Sequence, residues 1–319
     1  MPAEGVAPRA HGELLSAEEI ARFARLVAGE GITRVRLTGG EPLVSHRIIP
    51  LIEEIRAIPQ IEDISLTTNG ALLPRFAPLL KDAGLDRVNI SLDPVQFGKI
   101  TRLGRLEQTL AGIDAALAYG FSPVKVNCVV VRRLDQDVFN IARLSVDRPV
   151  HVRFIEYMPI GSDEEHGFRA VDAAEASDGA LRPEQWDASD TVPSAELRGR
   201  IDAEAAAAGI GALEAVGDGG APAGAGPARY WRFPDAVGTV GFISAMSNHF
   251  CASCNRMRLT ADGAIRPCLF SDAEYRVRDA LRAGDDDAVA RIWRDAVSHK
   301  PREHEVIEGT ERFMSQIGG

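Results

Sequence analysis

The stretch of sequence that decides the fold is DISLTTNGALLPRFAPLLKDAGLDRVNISLD, residues 63–93. It begins with a strand-like segment, DISLTTNG, and ends with a second one, RVNISLD, with a helical segment near 73–83 between them. Two strands joined by a helix in this way form a βαβ unit, whose strands run parallel. The stretch therefore predicts a parallel sheet packed against helices.

The same alternation continues on both sides of this unit. Further strand-like segments are RVRLTGG (34–40), VKVNCVVV (124–131) and HVRFIEYM (151–158), and further helical segments lie near 47–57, 105–120 and 137–146. Another helix comes before the first strand, because Ser16 and Glu19 have the spacing of a capping box and helically spaced apolar residues follow. Several strands look apolar on both faces, which is typical of a covered sheet or a barrel.

Polar residues gather at the end of each predicted strand. They are Thr38–Glu41, Thr67–Gly70, Ser91–Asp93, Asn127 and Glu156–Met158. In α/β barrels the ligand-binding loops follow the carboxyl ends of the strands, so these residues are predicted to face a ligand. Because a helix precedes the first strand, a barrel built from these units would lack its opening strand, whereas an open sheet needs none. The pattern alone fits both architectures.

Length and composition limit the function classes. The chain has 319 residues, a formal net charge of −10 and 45% hydrophobic residues, enough for one sizeable core or for a large domain with a smaller appendage. The acidic balance disfavours non-specific binding to nucleic acid. No apolar run is long enough for a membrane span, and the first residues lack the pattern of a secretory signal. We therefore expect a cytoplasmic protein.

The regular alternation stops after the fifth strand-like segment. An acidic, polar stretch and the Gly/Ala-rich segment GDGGAPAGAGPA (217–228) follow, and the latter is typical of a flexible link. Beyond it, a hairpin is predicted around Ala261–Gly263, then a helical segment near 272–298. We expect three regions: a partial barrel (1–161), a variable acidic and Ala/Gly-rich connector (162–235), and a C-terminal region (236–319).

Three of the four cysteines cluster in the C-terminal region. Cys251, Cys254 and Cys268 have the spacing Cys-x2-Cys-x13-Cys, and the predicted hairpin brings the third cysteine back toward the first two. Such a set can ligate an iron–sulfur cluster. It can also bind structural zinc, with His249 as the fourth ligand, or remain three inert thiols. Cys128 stands alone in an apolar strand and is predicted to be a core thiol.

Several cations lie where they can reach one anionic ligand. Arg256 and Arg258 alternate along an extended segment and therefore point to the same side, as suits a phosphate. The alternative is an ordinary solvated strand face. Arg36 and Lys125 lie on predicted strands, and a cation that faces a barrel interior needs a partner because an unpaired buried charge is costly.

Taken together, these segments resemble one family along nearly the whole chain, apart from about 162–235. The matching segments are RVRLTGGEPL, DISLTTNG, GLDRVNISLD, VRFIEYMPIG, VGFISAMSNHFCASCNRMRLTADG and MSQIGG. They resemble the GTP 3′,8-cyclase family (molybdenum cofactor biosynthesis protein A) of radical S-adenosylmethionine (SAM) enzymes. The resemblance implies an incomplete (βα)6 barrel of the triosephosphate isomerase type with a C-terminal cluster-binding extension. It also implies a lyase that converts GTP to (8S)-3′,8-cyclo-7,8-dihydroguanosine 5′-triphosphate.

The resemblance also implies site residues. As ligands of a C-terminal [4Fe–4S] cluster it implies Cys251, Cys254 and Cys268. As GTP-binding residues it implies Arg36, Thr67, Lys125, Arg256, Met257 and Arg258. As SAM-binding residues it implies Gly40, Ser91 and Met158. The terminal Gly318 and Gly319 resemble a tail that reaches back into the active site of this family.

One family motif is absent from the printed sequence. The family binds a second [4Fe–4S] cluster, which generates the radical, through a CxxxCxxC motif that this chain does not contain. We therefore expect an N-terminally truncated family member that is inactive as written. Alternatives are a one-cluster GTP-binding remnant and another radical SAM enzyme with an auxiliary cluster. Expected partners are GTP, SAM, an electron donor and the downstream cyclic pyranopterin monophosphate synthase pathway, and the family relation leaves room for a homodimer.

Overall fold

The structure is a computed structural model. It describes residues 11–92, 106–134, 136–160, 188–224, 226–304, 312 and 314–317. In this part of the chain the main sheet has eight strands: β1 (Arg34–Leu37), β2 (Asp63–Thr68), β3 (Arg87–Ser91), β4 (Val124–Val130), β5 (Val150–Glu156), β6 (Glu214–Ala215), β7 (Arg229–Arg232) and β8 (Thr239–Ile243). Their order across the sheet is β1-β2-β3-β4-β5-β8-β7-β6.

The parallel sheet predicted from the sequence is confirmed. β1 to β5 pair in parallel in chain order, and β8 adds to β5 as a further parallel strand. The sequence analysis assigned β8 to the C-terminal region, because the irregular residues 162–235 hide its relation to β5. β7 and β6 then continue the sheet in antiparallel pairing.

Helices pack against one face of this sheet. They are α1 (Ala17–Gly29), α2 (Ile48–Arg56), α3 (Leu73–Asp82), α4 (Leu106–Ala118), α5 (Val138–Asp147) and α6 (Ser194–Ala207). The predicted capping box is present at α1, where the Glu19 amide donates to Ser16 Oγ at 3.2 Å and the Ser16 amide donates to Glu19 Oε2 at 2.7 Å. Among the described helices, none is long and apolar enough to cross a membrane.

The two faces of the sheet differ in polarity, so the expectation that strands are apolar on both faces was wrong. The helix-facing side carries the buried core, which includes Leu66, Val88, Val126 and Val152. The residues between them point to the other face because side chains alternate along a strand. There the strand register aligns a polar row, which comprises Thr67, Asn89, Lys125, His151 and Thr239.

Residues 162–235, expected to be a connector, contain regular structure. Helix α6 and strands β6 and β7 lie within this range, and β7 pairs with β8. The segment 217–228 is therefore the loop of a β6–β7 hairpin rather than a free link. The boundary at 235/236 falls between two paired strands, and the division into three regions remains a proposal.

The C-terminal region forms a second layer against α1. It contains a small antiparallel sheet of β9 (Arg258–Leu259), β10 (Ala264–Arg266) and β11 (Tyr275–Arg276), which confirms the predicted hairpin. The helical segment predicted near 272–298 is instead two helices, α7 (Arg278–Ala283) and α8 (Asp286–Ser298). Gly284 ends α7 in the left-handed conformation at φ 76°, and the Asp285 side chain caps α8. A short α9 (Met314–Ile317) follows.

Apolar packing holds this second layer in place. The ring of Trp293 meets the edge of Phe23 on α1 at a centroid distance of 5.9 Å, within a cluster of buried residues separate from the main core. Ion pairs at the rim of this contact join α1 to the same region, among them Arg22–Asp286 at 2.7 Å. The hairpin that carries Arg258 is thus fixed against α1.

Candidate functional site

The polar face of the sheet carries a concentration of cations. By register, Arg36 aligns with Ser65 and Arg87, Lys125 with Asn89 and His151, and Arg153 with Asn127. Lys125 is 2% exposed, Arg153 3% and Arg87 5%. Burial of three cations on one face is costly unless a partner neutralises them, so this face is built to meet an anion.

Cations from distant strands act on one another across this face. Burial and repulsion from Arg153, Arg256 and Arg87 lower the pKa of Arg36 to about 10. In a flat sheet β1 and β5 would lie about 19 Å apart, since neighbouring strands are about 4.8 Å apart. An effect of Arg153 on Arg36 across this span is consistent with a curled sheet, and the incomplete barrel stays a proposal. The Arg36 side chain itself is exposed to solvent.

Arg36, Arg87, Lys125, Arg153 and Arg256 influence one another across the polar face of the sheet, and we call the region that they share the basic cavity. The strand cations Arg153, Arg87 and Arg36 disfavour the charged form of Lys125, whereas Asp63 favours it. Burial is the largest effect, and together these lower the pKa of Lys125 to about 7. The cavity thus holds an excess of positive charge that an incoming polyanion can balance.

Two further titratable groups lie beside these cations. Burial, with repulsion from Lys125 and Arg153, lowers the pKa of His151 to about 4, so its imidazole is neutral at pH 7. Its Nδ1 lies 2.8 Å from Thr239 Oγ1. Burial also raises the pKa of Tyr230, whose hydroxyl is hydrogen-bonded to Arg153. Both groups therefore stay uncharged beside the cations.

The segment 256–258 joins the basic cavity to the cysteine region. Arg256 acts on Arg36 and lies over the Phe250 ring, with its guanidinium carbon 5.3 Å from the ring centroid. Met257 points the other way and packs against the second apolar cluster. Its side chain therefore does not face the cavity, and only its backbone is available to a ligand there.

Arg258 lies among the cysteines. Burial and repulsion from Arg256 lower its pKa to about 10, while Cys254 and Cys268 both oppose this shift. Two of the three cysteines therefore surround one guanidinium. The third, Cys251, has its Sγ 3.2 Å from His304 Nδ1. The His304 ring stacks on Phe270 at 4.4 Å and meets His249 at 5.1 Å.

The three clustered cysteines are candidate ligands of a metal centre. Across the described residues, no group of three or more His, Cys, Asp or Glu side chains is close enough to hold a metal ion. A zinc site with His249 would need four ligands drawn into one tight tetrahedron. Cluster thiolates bind separate iron atoms and stand farther apart. Three half-buried, free thiols beside a cation fit a cluster of net negative charge.

Lys300, which the sequence analysis missed, ties the cysteine region together. Its Nζ donates to the carbonyl oxygens of Arg256 at 2.9 Å and Pro267 at 2.6 Å. One ammonium group thus holds the arginine segment next to the turn that carries Cys268. A lone lysine after a helix gives no sequence signal for this role.

The residues predicted to bind SAM lie at the carboxyl ends of the strands. Gly40 follows β1, Ser91 ends β3 and Met158 follows β5, all at carboxyl ends. Glu41 holds this edge, since its carboxylate accepts from Thr68 Oγ1 and from the Asn69 amide, both at 2.7 Å. The turn that contains Gly40 is thereby fixed to the loop after β2.

A second carboxylate, Glu156, organises the end of β5. It accepts from the amides of Met246 and Ser247, both at 2.8 Å, and from the Ser194 amide at 2.9 Å. Burial alone would raise the pKa of Glu156, but hydrogen bonds from Ser247, Met246 and Ser194 outweigh it and hold the pKa below its ordinary value. Glu156 therefore fixes the segment that leads into the cysteine loop.

The structure brings Arg36, Lys125 and Arg256 together and sets Thr67 on the same face, in register with Asn89. Sequence reasoning missed Arg87 and Arg153, although both alternate with apolar residues in strand-like segments. Gly318 and Gly319 lie outside the described residues. The nearby Arg312 donates to Asp262 at 3.0 Å and anchors the tail to the hairpin that carries Arg258.

Comparison with known proteins gives a consistent result. Residues 5–144 match the Radical SAM superfamily, and residues 179–306 match Molybdenum Cofactor Synthesis C. The chain is 44% identical to the GTP 3′,8-cyclase of Pelotomaculum thermopropionicum, 46% to that of Moorella thermoacetica and 45% to that of Heliobacterium modesticaldum. Each alignment covers 100% of this chain and 92% of the relative.

A solved structure supports the fold. Streptococcus suis SuiB bound to S-adenosylmethionine superimposes with a TM-score of 0.52 at 14% identity, over 90% of this chain and 61% of the longer SuiB chain. At this identity the likeness concerns the fold, an α/β arrangement with a parallel sheet. The full-length matches to the curated relatives settle the family: this chain belongs to the GTP 3′,8-cyclase family of radical SAM proteins.

Proposed function

We propose that the protein serves molybdenum cofactor biosynthesis as a GTP 3′,8-cyclase, which converts GTP to (8S)-3′,8-cyclo-7,8-dihydroguanosine 5′-triphosphate in a SAM-dependent radical reaction. The observation that carries this proposal is the basic cavity and its continuity with Cys251, Cys254 and Cys268 through Arg256 and Arg258. A nucleoside triphosphate has the matching shape, with a polyanion at one end and a base at the other.

Each end of the nucleotide has its own group of residues. Lys125 and Arg153 neutralise the triphosphate inside the basic cavity, where their burial strengthens each contact, and Arg36 meets the phosphates from its exposed position on β1. The planar fork of Arg256 contacts the phosphates nearest the ribose. Thr67 lies on the same face and offers a hydroxyl to the sugar or a phosphate.

The cysteines complete the base end. When bound, a [4Fe–4S] cluster held by Cys251, Cys254 and Cys268 supplies an iron atom without a protein ligand, at which a guanine base can bind. Arg258 balances the negative charge around the thiolates. Lys300 holds the arginine segment next to the Cys268 turn, because its ammonium group donates to a carbonyl oxygen of each.

SAM occupies the carboxyl edge of the sheet in this proposal. Gly40 offers backbone groups in a turn that Glu41 holds in place, and Ser91 and Met158 border the same edge. SAM and GTP would then approach each other along the polar face of the sheet. An electron donor and a downstream cyclic pyranopterin monophosphate synthase complete the expected pathway.

The polypeptide as printed is proposed to bind GTP without cyclising it. Its four cysteines are Cys128, Cys251, Cys254 and Cys268, and they form no CxxxCxxC motif. Cys128 is fully buried in the core and faces the helices, away from the polar face. Ligands for a second, radical-generating [4Fe–4S] cluster are therefore lacking in these 319 residues.

The test is to reconstitute the chain with iron and sulfide without oxygen and then to measure GTP binding and SAM cleavage. We expect GTP to bind more tightly than ATP, and we expect neither 5′-deoxyadenosine nor cyclised nucleotide. Failure to bind GTP would contradict the proposed substrate. Detection of cyclised product would contradict the proposed inactivity and leave the substrate assignment standing.

Metal analysis separates the remaining candidates. Iron with acid-labile sulfide supports the cyclase, whereas zinc would support a nucleotide-binding module with a structural metal. A peptide-modifying radical enzyme would bind neither GTP nor tripolyphosphate in the basic cavity.

A further inference from the structure

The loop that joins β6 and β7 reaches the amino-terminal end of the parallel strands. There the carbonyl oxygen of Ala223 accepts a hydrogen bond from Lys125 Nζ at 2.7 Å. Ala223 and Gly224 also line a pocket below the strands with Arg87, at the start of β3, and with the carboxylates of Glu62, Asp63 and Asp86. The loop thus meets the basic cavity at the amino-terminal ends of the strands, opposite the carboxyl ends that carry Gly40, Ser91 and Met158.

Gly224 allows the loop to come this close. A Cβ atom at this position would lie 2.1 Å from Arg87 Nη1, and the φ of Gly224 is +100°, a conformation that L residues rarely adopt. Elsewhere in the same loop, a Cβ atom on Gly219 would meet nothing within 4 Å. The requirement for glycine is therefore local to the point of contact with Arg87.

The Arg87 side chain cannot easily give way. It is buried and paired with Asp63, and its Nη1 has no hydrogen-bond partner among the described residues. The bidentate pair fixes the plane of the guanidinium. Any side chain at position 224 would therefore displace the loop backbone rather than the arginine.

We propose that Ala223–Gly224 forms the floor of the nucleotide-phosphate site and acts as its positioning element, with the Ala223 carbonyl orienting Lys125 toward the bound phosphates. This inference rests on the proposed binding of GTP. A lysine ammonium has three donors. One is held by Ala223, and two remain for phosphate oxygens.

The floor has a second effect on the cavity. Ala223 and Gly224 contact Lys125 and Arg87, which are 2% and 5% exposed, at the amino-terminal end of the strands. Charge pairs are stronger where water is excluded. The Gly/Ala-rich composition, typical of a flexible link, is thus explained here by close packing against cations.

The test compares Gly224→Ala with Gly219→Ala, a matched change in open space. Binding of sodium tripolyphosphate and of GTP is measured by calorimetry on the full chain. Because one hydrogen bond to a charged group is disturbed, Gly224→Ala should weaken both ligands about tenfold. Gly219→Ala should stay within about twofold of wild type. Equal affinities for Gly224→Ala and wild type would overturn the proposal.

A pH profile separates positioning from a general loss of structure. If Gly224→Ala admits water to Lys125, the pH at which tripolyphosphate affinity falls should move upward, toward the ordinary lysine range. A loss of affinity at every pH with an unchanged midpoint would indicate mere loosening of the loop and would overturn the positioning role.

Hydrogen exchange tests the same contact without a ligand and without relying on the folding of Gly224→Ala. In Lys125→Met the Ala223 carbonyl loses its partner, so amides in 217–228 should exchange faster than in wild type. Unchanged exchange would overturn the proposal. If wild type binds neither tripolyphosphate nor GTP, the proposed function fails, while the exchange experiment still decides whether the floor exists.

Discussion

Arg153 on β5 reaches past β4 to Asn89 on β3, where its Nη2 donates to the Asn89 Oδ1 at 2.8 Å. Its Nε donates to Asn127 Oδ1 at 2.9 Å. Both partners are neutral amides, which orient the guanidinium without cancelling its charge. Arg153 is thus a buried, oriented cation that keeps its charge for an anionic ligand.

Replacing Arg153 should therefore weaken polyanion binding. We expect Arg153→Gln to lose about 1.5–3 kcal/mol in binding GTP or tripolyphosphate, roughly 10- to 100-fold in Kd. Calorimetry on the folded variant measures this. Arg200→Gln on the exposed side of α6 is the matched control and should bind like wild type. Full affinity in Arg153→Gln would show that the ligand lies elsewhere.

The low pKa of Lys125, about 7, makes polyanion binding pH-dependent. Above pH 7 the amine is mostly neutral, and a bound polyphosphate should raise its pKa and draw a proton from solution. We expect proton uptake at pH 8, seen as a binding enthalpy that depends on the ionisation enthalpy of the buffer. Affinity should fall as the pH rises from 7 to 9. Lys125→Met should remove both effects, and His151, with a pKa of about 4, should contribute neither.

The same pKa has a consequence for the ligand-free protein. The folded-state pKa of Lys125 lies below its unfolded value of 10.5, so burial of the charged form destabilises the fold fully below pH 7. This penalty is relieved as the pH rises from about 7 to the unfolded value. Urea unfolding should show wild type gaining stability relative to Lys125→Met over that window, and a constant difference would contradict the buried charge.

The parallel sheet was predictable because helices and strands alternate along the chain at regular spacing. Buried apolar residues recur every three or four positions in the helices and every second position in the strands. The start of α1 was predictable as well, because the capping box of Ser16 and Glu19 depends only on residues that are close in sequence. β8 was missed because its pairing with β5 crosses a long irregular segment. The break between α7 and α8 depends on Gly284, whose left-handed conformation stops a helix that apolar spacing alone would continue.

The candidate site was predictable only in part. Single residues in strong motifs, such as Cys254 and Arg256, carry a sequence signal. Arg153 does not, because one arginine in an apolar strand gains meaning only from the register that sets it beside Asn89 and Asn127. The role of Ala223 and Gly224 depends on a contact between loop and sheet, and composition there suggested a free link instead.

The cysteine assignment predicts which thiols retain iron. After anaerobic reconstitution, Cys251→Ala, Cys254→Ala and Cys268→Ala should each lose most of the iron and sulfide, measured by chemical analysis and the visible absorption of the cluster. Cys128→Ala is the control, since Cys128 is buried in the core and should change stability without changing iron content. Iron retention by Cys268→Ala would remove that residue from the ligand set.

Glu156 gives a prediction about acid stability. Its hydrogen bonds favour the ionised form, so its pKa lies below the ordinary 4.5. This stabilisation is present at pH values above the ordinary pKa and is lost as the pH falls through the lower folded-state value. Glu156→Gln places an amide NH2 against backbone donors and should cost about 1.5–3 kcal/mol in the free energy of unfolding at pH 7.

Guanidinium unfolding at pH 7 and at pH 3 measures the effect of this change. The gap between wild type and Glu156→Gln should narrow in acid, because protonation removes the advantage of the carboxylate. Glu53→Gln, at an exposed site on α2, should leave the stability unchanged at both pH values. Since Glu156 binds the segment that leads into the cysteine loop, Glu156→Gln should also lower the yield of reconstituted cluster. A gap that stays constant from pH 7 to pH 3 would mean that Glu156 acts through its shape and not through its charge.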